Sequence, residues 1–255
     1  MPIEQSFRNA SAKINASDIC DQYTKSFDTI IITFDGKVLE SLLENHRVVA
    51  LPDVTFGSCH SKYPIYQVID QPEILFYLCP IGAPTAVGIL EEIVYTFTIK
   101  NIVMYGSCGV LDKTIARGHI IVPTKAYRDE GTSYHYKAAS DFITIVNANK
   151  VMAILSNLQI QYVSGYTWTT DGFYRETEPI IQERVEQGCI AVEMEISAVQ
   201  AFADLRQVNL FTFIYGADNL DAKAWEKRIL GNVSGDVRMK HFLLALEIAQ
   251  SVTTL

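Results

Sequence analysis

The chain alternates between short apolar runs and longer amphipathic stretches. Thr29-Ile30-Ile31-Ile32-Thr33 is β-branched throughout, so residues 28–33 read as a buried strand. Phe34-Asp35-Gly36 turns the chain into a helix predicted over residues 37–44. A second buried strand is predicted at 74–79, followed by Pro80-Ile81-Gly82-Ala83-Pro84. Pro84 suits a helix's first turn, where its missing N–H would have no partner anyway, and that helix runs to about residue 98. The same patterning predicts strands at 101–105, 120–122, 161–167, 190–192 and 210–215. It predicts helices at 140–158, 178–187 and 236–251, and a small-residue helix from Ile196 to Phe202. Strands that alternate with helices imply a mixed or mostly parallel sheet covered on both faces. Ligands in such folds gather at the carboxyl ends of the strands, and the polar motifs of this chain all follow strands.

Composition narrows the picture. With 255 residues, 49% hydrophobic and 20% charged, the chain can bury one sizeable core. No repeat, low-complexity segment or linker divides it, so residues 1–255 read as one domain with 1–25 as an N-terminal extension. The net charge of -8, from 21 basic and 29 acidic residues, argues against nonspecific nucleic-acid binding. Cys20, Cys59, Cys79, Cys108 and Cys189 are odd in number and scattered, without a C-x-x-C pair. That indicates neither a disulfide framework nor a metal site, and it fits a reducing cytoplasm. The polar N-terminus carries no signal-peptide core, and no apolar run reaches membrane-spanning length, so no membrane partner is expected.

Four segments carry candidate chemistry. Val192-Glu193-Met194-Glu195 places two carboxylates, one residue apart, where a strand gives way to a helix. Such acids could divide the work, one gripping sugar hydroxyls while another group handles charge or protons; they would also suit a helix N-terminus electrostatically. Gly106-Ser107-Cys108-Gly109 follows a strand, and its glycines would let backbone N–H groups approach an anion or a water; it also fits an ordinary strand-to-loop turn. In Trp168-Thr169-Thr170-Asp171-Gly172-Phe173-Tyr174-Arg175-Glu176, Phe173 or Trp168 could stack on a flat heterocycle or pack in the core. Asp218, in Tyr215-Gly216-Ala217-Asp218-Asn219, ends a strongly apolar strand and is a candidate general acid or a helix cap, and Arg228 could pair with it. The polar-aromatic run from Arg128 to Tyr136 has the mix of a loop that binds or meets a partner, with His135 a possible donor or a structural histidine.

Taken in series, Ile81-Gly82-Ala83-Pro84, Gly106-Ser107-Cys108-Gly109, Asp171-Gly172-Phe173-Tyr174, Val192-Glu193-Met194-Glu195 and Ala217-Asp218-Asn219 resemble the nucleoside phosphorylase superfamily. The resemblance covers about residues 28–250 and implies a three-layer α/β/α sandwich around a twisted, mixed, mostly parallel sheet. It also implies cleavage of a nucleoside's N-glycosidic bond without metal or organic cofactor, and a homo-oligomer, dimer or hexamer. By this resemblance Glu195 would accept hydrogen bonds from the ribose 2′ and 3′ hydroxyls and Met194 would pack on the sugar. Phe173, Val192 and Thr170 would surround the base. Asp218, with Arg228, would protonate the leaving base, and Gly106 and Ser107 would face the nucleophile. The family default is phosphorolysis, with phosphate as co-substrate and a purine favoured over a pyrimidine.

Three departures qualify that default. Phosphorylases of the superfamily carry an arginine where this chain has Met104, and another in the loop after the first strand, here Phe34-Asp35-Gly36-Lys37-Val38. A planar guanidinium fork grips phosphate in a way methionine or valine cannot, which leaves Lys37, Arg128 or Arg175 to compensate. Nucleosidases lack those arginines and place an acid after the first strand to activate water, and Asp35 occupies such a place. The Gln-x-Arg that reads uracil in uridine phosphorylases is absent after Phe173. Hydrolysis is therefore one alternative, and a nucleoside-binding protein without turnover is another.

Overall fold

The computed structural model describes residues 2–57, 62–115, 117–222 and 224–253, so Cys59 lies outside the described residues. After two 3-10 turns at Pro2–Gln5 and Ala16–Asp18 come β1 (Thr29–Thr33), α1 (Gly36–Glu44) and a hairpin of β2 (Val48–Gly57) and β3 (Lys62–Val68). They are followed by β4 (Gln71–Leu78), α2 (Ala83–Phe97), β5 (Asn101–Val110) and β6 (Ile120–Asp129). Next come α3 (Ser133–Tyr136), β7 (Phe142–Thr144), α4 (Ala148–Asn157) and β8 (Tyr162–Thr170). The last elements are α5 (Glu178–Glu186), β9 (Cys189–Glu193), α6 (Ile196–Arg206), β10 (Asn209–Asn219) and α7 (Gly235–Thr253).

The strands form one mixed sheet between helical layers, as the resemblance implies. β1 lies between β4 and β5, parallel to both, and β5 runs parallel to β10 over ten residue pairs. The other long ladder, β6 with β8, is also parallel, and β9 joins β8 to the end of β5. Antiparallel pairing is confined to short contacts and to the β2–β3–β4 edge. On the helical side, α7 packs on α1, β1 and β5, while α2, α3 and α6 pack together. Ile30, Ile31 and Ile32 have no exposed surface, consistent with a strand covered on both faces. Among the described residues no helix is long and apolar enough to cross a membrane.

Four local differences from the sequence reading matter. The helix predicted at 140–158 is a strand followed by a helix: Phe142-Ile143-Thr144 pairs with Lys125–Tyr127, and α4 begins only at Ala148. Aromatic and β-branched side chains favour that edge pairing over a helical turn. The β2–β3 hairpin went unpredicted because Pro52 and Pro64 interrupt its apolar pattern, and proline is tolerated near a sheet edge. Gly106-Ser107-Cys108-Gly109 is not a turn but a continuation of β5, laddered to β10 and β9. A Cβ on Gly109 would lie 2.8 Å from Val192 Cγ1 and 2.5 Å from Leu220 Cδ1, so glycine is what lets these strands close up there. Finally, β10 continues past residue 215 to Asn219, with a bulge between Gly216 and Asp218. Bulges re-aim side chains next to functional sites, and this one sets Asp218 opposite Gly109.

Candidate functional site

The carboxyl ends of β5, β8, β9 and β10 surround a cleft of three compartments that share walls. The inner one, about 380 Å³, is lined by Ser107, Phe173, Glu176, Val192, Met194, Glu195 and Asp218, among others. A second, about 290 Å³, contains Asp35, Lys37, Gly106, Ser107, Tyr215 and Arg238. An outer one, about 670 Å³, is bounded by Phe173, Tyr174, Glu176, Asp218, Trp225 and Lys227. Phe34, Ile81, Ser107 and Leu230 separate the inner compartment from the Asp35 side. Glu195 and Asp218, distant in sequence, thus open onto one cavity.

The two carboxylates of Val192-Glu193-Met194-Glu195 have separate work. Glu193 is fully engaged with the protein: one oxygen accepts the N–H groups of Glu195 and Ile196, both at 2.7 Å, where α6 begins. The other accepts the Thr169 hydroxyl at 2.5 Å and the Thr167 hydroxyl at 3.3 Å. Ser197 N–H in turn donates to Thr169 Oγ1, so β8, β9 and the α6 N-terminus are laced together. Burial pushes the Glu193 carboxyl up to about 7 even against those four donors. Glu195 is held by the Gly82 N–H at 2.7 Å. Gly82 has φ 107°, a conformation that favours glycine, and it delivers that amide at the start of α2. Burial, then the nearby Glu193 charge, raises the Glu195 carboxyl to about 8.

Asp218 is 5% exposed and accepts the Trp225 indole N–H at 2.7 Å. Burial raises its carboxyl above the ordinary range, opposed by the Trp225 hydrogen bond and by the charge of Arg228. Arg228 is not its direct partner: its Nη1 donates to the Ile115 carbonyl at 3.1 Å and its Nε lies 3.5 Å from Glu226. It lines none of the three compartments, so its influence on Asp218 is through space.

Other expected residues separate into those at the cleft and those away from it. Met194, Val192, Phe173, Ser107, Gly106 and Asp35 line compartments. Thr170 does not: its hydroxyl donates to Asp129 and accepts the Gly172 N–H, which shapes the end of β8. Trp168 is buried among Leu111, Ile181, Cys189 and Val192, with its indole N–H on Asp129, so of the two candidates Phe173 is the one that lines the cavity. Arg128 is no phosphate ligand either. Its guanidinium ties Ser133, Ser140 and the carbonyls of Lys137 and Ala138, and stacks 4.2 Å over Tyr134. Arg175 and His135 are exposed and line no compartment. Met104 is 2% exposed in the sheet core and lines none of the three compartments.

Sequence reasoning missed Arg238, Glu176, Trp225 and Leu230. Arg238, on α7, donates from Nε to Asp35 at 2.6 Å and from Nη1 to the Val233 carbonyl. Asp35 also accepts the Lys37 N–H at the start of α1. Nothing local distinguishes Arg238 from a solvated helix arginine; only the fold brings it beside Ser107. Among the described residues no cluster of three or more His, Cys, Asp or Glu side chains is arranged to hold a metal ion.

The family model of the Phosphorylase superfamily matches residues 28–240, and the chain belongs to that superfamily. A DeoD-type purine nucleoside phosphorylase of Aliivibrio fischeri is 26% identical over 170 residues, covering 62% of this chain and 71% of that protein. In other curated relatives the matched stretch spans 54–62% of their length. Among solved structures, purine nucleoside phosphorylase from Toxoplasma gondii, in complex with immucillin-H, superposes with a TM-score of 0.71 at 19% identity, covering 98% of this chain and all of that one. AMP nucleosidase from Bacteroides thetaiotaomicron gives 0.70 at 16% identity, covering 89% and 90%. At such identities the two structures speak to the fold alone.

Proposed function

We propose that the protein cleaves the N-glycosidic bond of a nucleoside, transferring the pentosyl group to phosphate, with a purine as the favoured base. The observation that carries this reading is the shared cavity: Glu195 and Asp218 line one compartment with Met194 and Phe173. A ribose held by Glu195 and packed on Met194 directs its base towards Phe173 and Asp218. As the C1′–N bond breaks, its electron pair passes to the base, and a proton from Asp218 neutralises the leaving group. General acid help of this kind is typically worth ~10²–10⁴ in rate. Positive charge develops on the sugar, and the Glu195 carboxylate stabilises it. A phosphate oxygen entering from the Ser107 side closes the new bond to C1′.

Arg238 and Lys37 are the cations available to that phosphate, in place of the arginines missing from the sequence. One observation favours a second reading, hydrolysis: the Asp35 carboxylate lies in the same compartment and neutralises Arg238. A water polarised by Asp35 would then replace phosphate. Incubation with guanosine, inosine, adenosine and uridine, with and without phosphate, separates the two by free base released. Phosphorolysis requires release only with phosphate, and Arg238→Met is then expected to raise KM for phosphate at least ~10-fold, since charge-assisted hydrogen bonds contribute roughly 1.5–3 kcal/mol. Release without phosphate, yielding free ribose, establishes hydrolysis. Saturable binding with no release on either condition means a binding protein.

The reading includes a cytoplasmic homo-oligomer. Tyr174 is 92% exposed and Phe173 43% exposed beside the outer compartment, and a neighbouring subunit that closes this side would cover both.

A further inference from the structure

Glu176 is a carboxylate of the inner compartment that no family motif of this chain explains. It follows the short turn Phe173–Arg175, is part-buried, and lines both the inner and the outer compartments beside Phe173 and Asp218. Among the described residues no hydrogen-bond donor reaches its side chain, whereas Glu193, Glu195 and Asp218 each accept one or more. A carboxylate withdrawn from water without a donor is costly, and a ligand that brings donors relieves that cost.

We infer that Glu176 is the specificity-determining residue for the base, and that it selects a base presenting adjacent N–H donors, as guanine does. This rests on the nucleoside-cleaving reading above. A carboxylate only accepts hydrogen bonds. Guanine offers N1–H and the 2-amino group side by side, matching the two carboxylate oxygens. Hypoxanthine offers N1–H alone. Adenine sets its N1 lone pair against the carboxylate, and uracil flanks N3–H with two carbonyl oxygens, so both are repelled. Phe173 faces the same space and supplies an apolar surface for the ring. The other charged or titratable groups around this space are Glu193, Glu195 and Cys108 inside, Asp218 beside Glu176, and Tyr174, Glu178 and Lys227 at the mouth. Burial and the Asp218 charge raise the Glu176 carboxyl to about 7, which is the expected consequence of an acceptor waiting for donors.

The test compares kcat/KM for guanosine, adenosine, 1-methylguanosine and uridine in the wild-type protein and in Glu176→Gln. In the wild type, guanosine is expected to exceed adenosine and 1-methylguanosine by about 10- to 100-fold, the usual worth of hydrogen bonds to a charged group. Glutamine offers one donor and one acceptor, which fit the N1 and 6-amino group of adenine. Glu176→Gln is therefore expected to lower guanosine turnover and raise adenosine turnover, a crossing that general damage to the fold cannot produce. The methylated substrate needs no variant at all, so a poorly folding Glu176→Gln leaves the proposal testable. A wild type that prefers adenosine or uridine, cleaves 1-methylguanosine as well as guanosine, or loses all substrates equally on Glu176→Gln overturns the inference while nucleoside cleavage stands. No cleavage of any nucleoside removes the underlying reading itself.

Discussion

Asp218→Asn is expected to lower turnover by ~10²–10⁴-fold while nucleoside affinity changes little, because it removes the proton donor and keeps the shape. The asparagine side chain can still accept the Trp225 indole N–H through its carbonyl oxygen, so the local geometry set by the β10 bulge persists. What is lost is transition-state charge relief at the departing base. The burial that raises the Asp218 carboxyl also sets the sign of the pH dependence. The acid must be protonated to act, so kcat falls as pH rises through its raised pKa, and the variant loses that limb. Steady-state kinetics with a separate measurement of binding by calorimetry checks both statements. An equal loss in affinity and turnover would remove the general-acid assignment.

Glu195→Gln is expected to weaken kcat/KM by about 10- to 100-fold and, at the same time, to stabilise the protein at alkaline pH. The first effect is expected above about pH 8, where the wild-type carboxyl is ionised, and follows from replacing a charged acceptor of the ribose hydroxyls by a neutral one. The second follows from linkage. The Glu195 carboxyl is raised to about 8 in the folded chain from an ordinary 4.5, so between those values the unfolded state holds fewer protons than the folded one. Stability contributed by the protonated form is therefore present below pH 4.5, declines as pH rises, and is fully lost above about 8. Glutamine cannot ionise and escapes that decline. The gain is expected to vanish towards pH 4.5 and to grow by about 1.4 kcal/mol per pH unit as pH rises towards 8. For a chain of this size each kcal/mol moves Tm by ~2–4 °C, so scanning calorimetry at the two pH values resolves it. A variant less stable than wild type at pH 8 would mean that Glu195 holds α2 through Gly82 more than it costs by burial. Stability surrendered for a buried charge is a common mark of a functional site.

Much of the frame was legible because burial leaves a periodic trace. The β-branched run of β1 and the apolar run before Asp218 identified central strands without further help. Motif order along the chain identified the family, and with it Glu195, Met194, Phe173 and Ser107 at a common cleft. What the sequence concealed depends on contacts between distant segments. Thr170 and Trp168 have the right chemistry for a base pocket, yet Asp129 on the neighbouring β6 draws both side chains away from the cleft. Arg128 has the charge for phosphate, but backbone carbonyls of the 137–138 segment consume it. Arg238 enters the cleft only because α7 packs against α1, which pairs it with Asp35 across the fold. Continuation of β5 through Gly106 and Gly109 was hidden for the same reason: glycine signals a turn locally, while here it admits Phe34 on one side and Val192 on the other.

The central claim is that one cavity holds a ribose at Glu195 and its base at Asp218. A crystal structure with a nucleoside analogue whose sugar–base linkage resists cleavage tests it most directly. The account requires the 2′ and 3′ hydroxyls within hydrogen-bond distance of the Glu195 carboxylate, and a ring nitrogen of the base within reach of Asp218. An analogue seated elsewhere, or one whose ribose faces away from Glu195, would contradict it.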